Sequence, residues 1–227
     1  MKALVLNSGG VDSTTCVGIA INELGAENVS TVSIVYGQKH IKELESAKNV
    51  SNYYNIANYV LDLSQVFQYS DCSLLQHSKN SIIHKSYDEQ IKENGEGRVD
   101  TYVPFRNGLM LSAVTSLADS LYPNEKIDIY YGAHADDACG NAYADCSEEF
   151  AGYMNKAINV GTYGNISVKR PLINMNKSEV VKLGKSLKVP YNLTWSCYEG
   201  GEKHCGQCGT CIDRNKAFRD NELDELI

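Results

Sequence analysis

Two groups of residues in this 227-residue chain have the types and spacing that chemistry requires. The first is Cys197-x7-Cys205-x2-Cys208-x2-Cys211. Thiolates two residues apart close on one ion through a short turn, and Gly206 and Gly209 give the backbone the freedom to make it. Four sulfurs with no histidine among them suit tetrahedral Zn²⁺. Four ligands fill the shell, so the expected site is structural, with no open position for an activated water. An iron–sulfur cluster takes the same ligands, and disulfides would need an oxidising compartment; zinc is expected because nothing else in the chain calls for redox chemistry. The adjacent His204 could replace a cysteine, although four thiolates need no replacement. The other cysteines, Cys16, Cys72, Cys139 and Cys146, are scattered.

The second group is Ser8-Gly9-Gly10-Val11-Asp12-Ser13-Thr14, set between the apolar Ala3–Asn7 and the apolar-rich Thr15–Ile21. Those flanks read as a buried strand and a helix, with a tight glycine turn between them. The amides behind the glycines lie at the positive end of the helix dipole, and the hydroxyls of Ser8, Ser13 and Thr14 add partners for a phosphate. An ordinary strand-to-helix turn with a capping serine would use similar residues. The spacing G-x-x-x-x-G-K-[ST] is absent and no lysine lies in the turn, so a pyrophosphate leaving group fits better than phosphoryl transfer. The pattern S-G-G-x-D-S resembles the PP-loop ATP pyrophosphatases, which adenylate a carbonyl or carboxylate oxygen. That resemblance implies ATP as the bound nucleotide.

The elements that position these groups alternate along the chain. Val29–Tyr36 reads as a second strand, about 41–54 as a helix and Tyr59–Leu63 as a third strand, which predicts a Rossmann-like α/β fold, a parallel sheet with helices on both faces. Ligands in such sheets bind at the carboxyl ends of the strands, where His40 falls, just past Tyr36. His40 reads equally well as a capping or core histidine, but its place directly after a strand end, beside the expected nucleotide, tips it towards the site. Residues 64–101 have weak periodicity and read as an irregular insertion over one edge of the sheet. A buried helix is expected over Gly108–Leu121, with Arg106 at its start able to grip a phosphate or carboxylate, or merely to pair with a surface acid. Strand Ile127–Gly132 leads into Asp136-Asp137, which could hold Mg²⁺, bind the amidine edge of a purine-like base or only cap a helix. A helix follows over Glu148–Val160. Asn176 and Glu179 have capping-box spacing, and Lys177 there is a candidate phosphate contact or a solvated lysine.

A net charge of −7 argues against a nucleic-acid partner and for a small-molecule substrate. No apolar run approaches the ~20 residues that span a bilayer, and Met1-Lys2 leads straight into a strand, so a cytoplasmic protein without a membrane partner is expected. The expected division is residues 1–190 as the nucleotide-binding domain and 191–227 as a small C-terminal zinc-binding segment that pins Ile212–Phe218 to the sheet.

Taken in order, the Ser8–Ser13 loop, Tyr36-Gly37-Gln38-Lys39-His40, Tyr102-Val103-Pro104-x-Arg106-Asn107, Gly132-Ala133 with Asp137, Tyr143-x-Asp145-Cys146, Pro171-Leu172-Ile173, Thr194–Tyr198 and the cysteines with Arg214 resemble the 7-cyano-7-deazaguanine synthases, the QueC family, nearly end to end. The resemblance implies an ATP-dependent carbon–nitrogen ligase that makes a nitrile from 7-carboxy-7-deazaguanine and ammonia. It would adenylate first the carboxylate and then the amide, towards queuosine and related deazapurines. It places Ser8, Gly9, Gly10, Val11, Asp12, Ser13 and Thr14 at the pyrophosphate end of ATP, and Arg106, Asp137, His40 and Lys177 around the deazapurine and the adenylated oxygen. It also implies a homodimer. Two departures stand out: Asn141 and Ala142 lengthen the loop after Gly132, with Ala144 for proline and Ser147 for arginine, and Gly209-Thr210 replaces aspartate-serine. The first touches the expected substrate pocket, leaving room for another acid. The rival readings are a PP-loop tRNA-thiolating enzyme using a cysteine pair such as Cys139 and Cys146, and a zinc-stabilised nucleotide-binding module without turnover.

Overall fold

The computed structural model describes residues 1–85, 89, 99–134 and 143–227. Five strands, β1 (Lys2–Leu6), β2 (Val29–Val35), β3 (Asn58–Asp62), β4 (Ile127–Tyr130) and β5 (Ile166–Lys169), form one sheet in the order β3-β2-β1-β4-β5. Every neighbouring pair is parallel. The inner strands are the almost continuously buried ones, as in a sheet covered on both faces, with Ser30, Thr31, Ser33 and Asp128 buried among their apolar residues, whereas β3 at the edge is partly exposed. Chain order runs outward from β1 to β2 and β3, then resumes on the other side of β1 with β4. That reversal opens a crevice at the carboxyl ends of β1 and β4.

Side chains of β1 alternate between two cores. Leu4 faces Leu111, Val114 and Ala118 of α3 (Arg106–Leu121) and Ala151 of α4 (Glu148–Gly161). Ala3 and Val5 face Val17 and Ala20 of α1 (Val11–Leu24), Val50 of α2 (Lys42–Tyr53) and Val180 and Val181 of α5 (Lys177–Ser186). The expected Rossmann-like layering is therefore present. Strand ends differ from the sequence reading by a residue or two, and β5 ends just before Pro171-Leu172-Ile173.

The Asn176/Glu179 capping box forms: Asn176 Oδ1 accepts from Glu179 N at 2.9 Å and Glu179 Oε2 from Asn176 N at 2.9 Å. It fixes the start of α5 and hence Lys177, for about 1 kcal/mol of helix stability. In the insertion, Phe67, Cys72, Leu74 and Leu75 are buried in the same core as Tyr36, so its described part is packed cover rather than open loop.

The expectation that Ile212–Phe218 packs on the sheet is corrected. This segment belongs to a helix, α6 (Gly209–Asp220), whose Ala217 and Phe218 join Val180, Val181 and Tyr191. α1 and α5 already cover that sheet face, so α6 packs outside them. No described helix is long and apolar enough to cross a membrane.

Candidate active site

The loop after β1 is shaped by a close approach of α2. A Cβ on Gly9 would collide with the Glu43 carbonyl oxygen and stand 2.6 Å from the Ala47 amide nitrogen, and Gly9 has φ +78°. No other residue fits. Asn7 closes the turn beneath it: its Oδ1 accepts from Gly9 N at 3.0 Å and from Ser13 Oγ at 3.3 Å, while its Nδ2 donates to Ala47 O. Ser8 N donates to Ser13 Oγ at 3.2 Å. Gly10 begins α1 with no side chain capping it, so the first-turn amides face the crevice. Across the crevice, a Cβ on Gly132 would lie 3.2 Å from Ser13 N, which shows how tightly the end of β4 meets the start of α1.

These elements bound a cavity of about 240 Å³. Ser8, Gly10, Asp12 and Ser13 form one end, with Lys177 reaching in from α5. Lys177 Nζ donates to Asp12 Oδ2 at 2.5 Å and lies 3.1 Å from His134 Nε2, which is itself 3.7 Å from Asp12 Oδ2. Burial acts to raise the Asp12 pKa, but Lys177 and His134 outweigh it and hold the carboxyl below its ordinary value. Asp12 Oδ1 is buried with no hydrogen-bond partner among the described residues.

Arg106 and Glu43 line the opposite part of the cavity. Phe105 takes a left-handed conformation, φ 51°, immediately before α3, and its ring packs edge-on against Phe150. The first turn of α3 is held by Asp145, whose Oδ2 accepts from Asn107 N at 3.0 Å and whose carbonyl accepts from Tyr131 Oη at 2.8 Å. Arg106 is thereby set 5.1 Å over the Tyr36 ring. Burial alone would lower the Arg106 pKa, but Tyr36, Tyr198 and Tyr143 more than offset it, so the guanidinium stays charged. Glu43, in the first turn of α2, has its carboxyl pushed up to about 7 by burial, against the pull of Arg106.

The four cysteine sulfurs lie within 4.8 Å of one another. Backbone amides already point at them, Cys205 N at Cys197 Sγ (3.3 Å) and Gln207 N and Cys208 N at Cys205 Sγ (3.4 and 3.3 Å). The Cys208 thiol is driven down by its hydrogen bonds with Cys211 and Thr210, while the same contact pushes the Cys211 thiol up. This cluster can hold a metal ion. His204 is outside it, stacked on Trp195 with ring centroids 4.3 Å apart and accepting from Ser196 N. The cluster also builds the site, because Trp195 N donates to Gly9 O at 2.9 Å, and Ser196, Tyr198 and Thr210 line the cavity.

Of the residues expected at the site, the structure thus brings Ser8, Gly10, Val11, Asp12, Ser13, Arg106 and Lys177 to one cavity. Gly9 shapes the turn from behind. Thr14 is fully buried, its amide bonded to Gly10 O, and does not line the cavity. His40 packs against Gly200 and edge-on to Trp195, beside the cysteine loop. Asp137 lies outside the described residues, as do Asp136 and Cys139. Asn7, Glu43, His134 and Asp145 were not singled out from the sequence for the chemistry of the site. Asn7 adjoins the glycine loop and Glu43 sits three residues past His40, so proximity to those motifs was the available signal.

A parallel sheet whose switch-point crevice carries a lysine-free glycine loop, with Arg106 in the same cavity, defines an α/β protein of the PP-loop kind. The family described as "Queuosine biosynthesis protein QueC" is matched over residues 2–222, and the chain belongs to it. The 7-cyano-7-deazaguanine synthase of Caldicellulosiruptor saccharolyticus is 41% identical over 96% of this chain and 91% of its own length. The protein of the same name from Oceanobacillus iheyensis is 39% identical over 96% and 94%. Among solved structures, NMN synthetase from Francisella tularensis aligns at 13% identity with a TM-score of 0.48, over 100% of this chain and 87% of that one, a likeness too loose to inform the site.

Proposed function

We propose that the protein is a 7-cyano-7-deazaguanine synthase, converting 7-carboxy-7-deazaguanine and ammonia to the nitrile with two ATP consumed. The observation that carries this is membership of the QueC family over residues 2–222. The cavity is consistent with it: an anion-ready helix start at one end and a charged guanidinium at the other.

In this reading the amides of Val11, Asp12 and Ser13, with the Ser8 and Ser13 hydroxyls, receive the pyrophosphate end of ATP, and Lys177 adds a cation there. Mg²⁺ accompanies the phosphates, and Asp12 Oδ1 is the described carboxylate oxygen that suits it. Arg106 orients the substrate carboxylate and the oxygen that accepts the adenylyl group. Asp137 is assigned to the deazapurine. His40 is retained as a residue of the site's outer wall, behind Trp195. Cys197, Cys205, Cys208 and Cys211 hold structural Zn²⁺, so that residues 191–227 form a metal-organised unit joined to the nucleotide-binding domain of 1–190. A cytoplasmic homodimer acting on small molecules, without nucleic acid, completes the proposal. The thiolation alternative is disfavoured by Cys146, which is buried and accepts from Asn107 Nδ2 at 3.2 Å.

Incubation of the metal-replete protein with ATP, Mg²⁺, ammonium and 7-carboxy-7-deazaguanine tests the reading. Nitrile formed with AMP supports it. AMP without nitrile points to another acid, and no AMP with any acid leaves a nucleotide-binding module.

A further inference from the structure

We infer that Glu43 is the base that removes the final N–H proton as the nitrile forms, a role that rests on the synthase activity proposed above. The geometry places it there. Its backbone presses against the glycine loop at Gly9, and its side chain lines the cavity shared by Asp12, Lys177 and Arg106. The carboxyl is within electrostatic reach of Arg106 and Tyr36, the guanidinium and phenol of the same cavity.

The chemistry demands such a group. Once the amide oxygen carries the adenylyl group, the carbon is an imidate, with one C=N–H proton left. The base takes that proton, the N–H electron pair becomes the second C–N π bond, and the C–O bond breaks with its pair leaving on AMP. Atoms and charge balance with the protonated base as the by-product, and the proton then passes to solvent.

The other titratable groups of the cavity are poorly suited. From α3, Arg106 is a permanent cation. From the end of β2, the Tyr36 phenol is pushed up by burial and by Glu43 itself. From α1, Asp12 is held low and engaged by Lys177. Tyr143, Cys146, Tyr198 and Asp213 line the remaining walls. A carboxyl whose pKa burial has brought to about 7 is matched to proton removal near neutral pH.

The test feeds the amide, with ATP and Mg²⁺, to wild type, Glu43→Gln and Glu43→Asp, and follows AMP and nitrile together. Wild type should release one AMP per nitrile, at a rate that rises with pH through about 7 as the base is deprotonated. In Glu43→Gln the rate of nitrile formation should fall about 100-fold. The trapped imidate should return to amide by hydrolysis, so that AMP per nitrile rises about tenfold and the pH-dependent limb disappears. Glu43→Asp, which keeps the carboxylate but withdraws it by one methylene, should recover part of the rate and the limb. It carries the test if Glu43→Gln does not fold. A folded Glu43→Gln with one AMP per nitrile and the wild-type pH limb, or a folded Glu43→Asp with the full wild-type rate, overturns the assignment. Wild type making no nitrile from acid or amide overturns instead the synthase reading, and this role with it.

Discussion

Replacing Lys177 by methionine removes the cation 2.5 Å from Asp12 Oδ2 while keeping most of the side chain's volume. The two side chains are 17% and 23% exposed, which sets the size of the effect. Exposed pairs contribute up to ~1 kcal/mol, whereas breaking a fully buried pair costs ~3–5 kcal/mol by stranding the partner charge. This pair lies between, at about 2 kcal/mol, which for a chain of this length is a loss of about 4–8 °C in Tm. Calorimetry without nucleotide, near neutral pH, reads it directly. Asp12→Asn should cost a similar amount by removing the carboxylate that Lys177 pairs with, and a double-mutant cycle should show a coupling of about 2 kcal/mol.

The pH dependence has a fixed sign. The Asp12 carboxyl is held below its ordinary value in the fold, so its contribution is present above the unfolded value of about 3.9 and is lost as pH falls through the lower folded value. The advantage of wild type over Lys177→Met should therefore shrink only in acid. A Lys177→Met protein melting within about 1 °C of wild type, or strictly additive single variants, would refute the reasoning.

Gly9→Ala should lose more than about 3 kcal/mol or fail to accumulate, since the new Cβ meets α2 backbone at a positive φ. Gly10→Ala should fold, because its Cβ would meet nothing closer than Ser8 Oγ at 3.4 Å, yet bind ATP more weakly in a calorimetric titration by narrowing the cradle. Asp145→Ala should cost about 1–2 kcal/mol in thermal melts by orphaning the Asn107 amide, and should raise the KM for the acid through displacement of Arg106. Metal removal by a chelator should shift the emission of Trp195, the single tryptophan, and weaken ATP binding at the same time.

What the sequence made legible was local. The strand, glycine turn and helix at the N-terminus, the Asn176/Glu179 box and the cysteine spacing each depend on residues a few positions apart, and each is found in the structure. Residues that depend on distant packing were harder to read. Asp145 matters because Asn107 and Tyr131 converge on it, and Glu43 because α2 is pressed against the loop and Arg106 arrives from α3. α6 went unrecognised because its exposed face is charged and its apolar contribution is concentrated in Ala217 and Phe218. Thr14 shows the converse: a hydroxyl with the right sequence neighbours is turned into the core by the helical period.

The hydrogen bond from Trp195 to Gly9 changes what the cysteine cluster is for. A metal that only stiffened the C-terminus could sit anywhere along it. Here Cys197 lies two residues beyond the bond to the glycine turn, and Thr210, between Cys208 and Cys211, donates to Ser196 O at 2.7 Å. Arg214, one turn further along α6, donates to Thr194 Oγ1 at 2.7 Å and to Tyr191 O, whose residue's hydroxyl is 2.8 Å from Thr15 Oγ1 in α1. The segment is thus tied to the start of α1 at two points, from the loop side and from behind. A metal that fixes the four sulfurs fixes both ties at once. A metal held by the four sulfurs would keep one wall of the cavity in register with the loop, a structural task that needs no open coordination position.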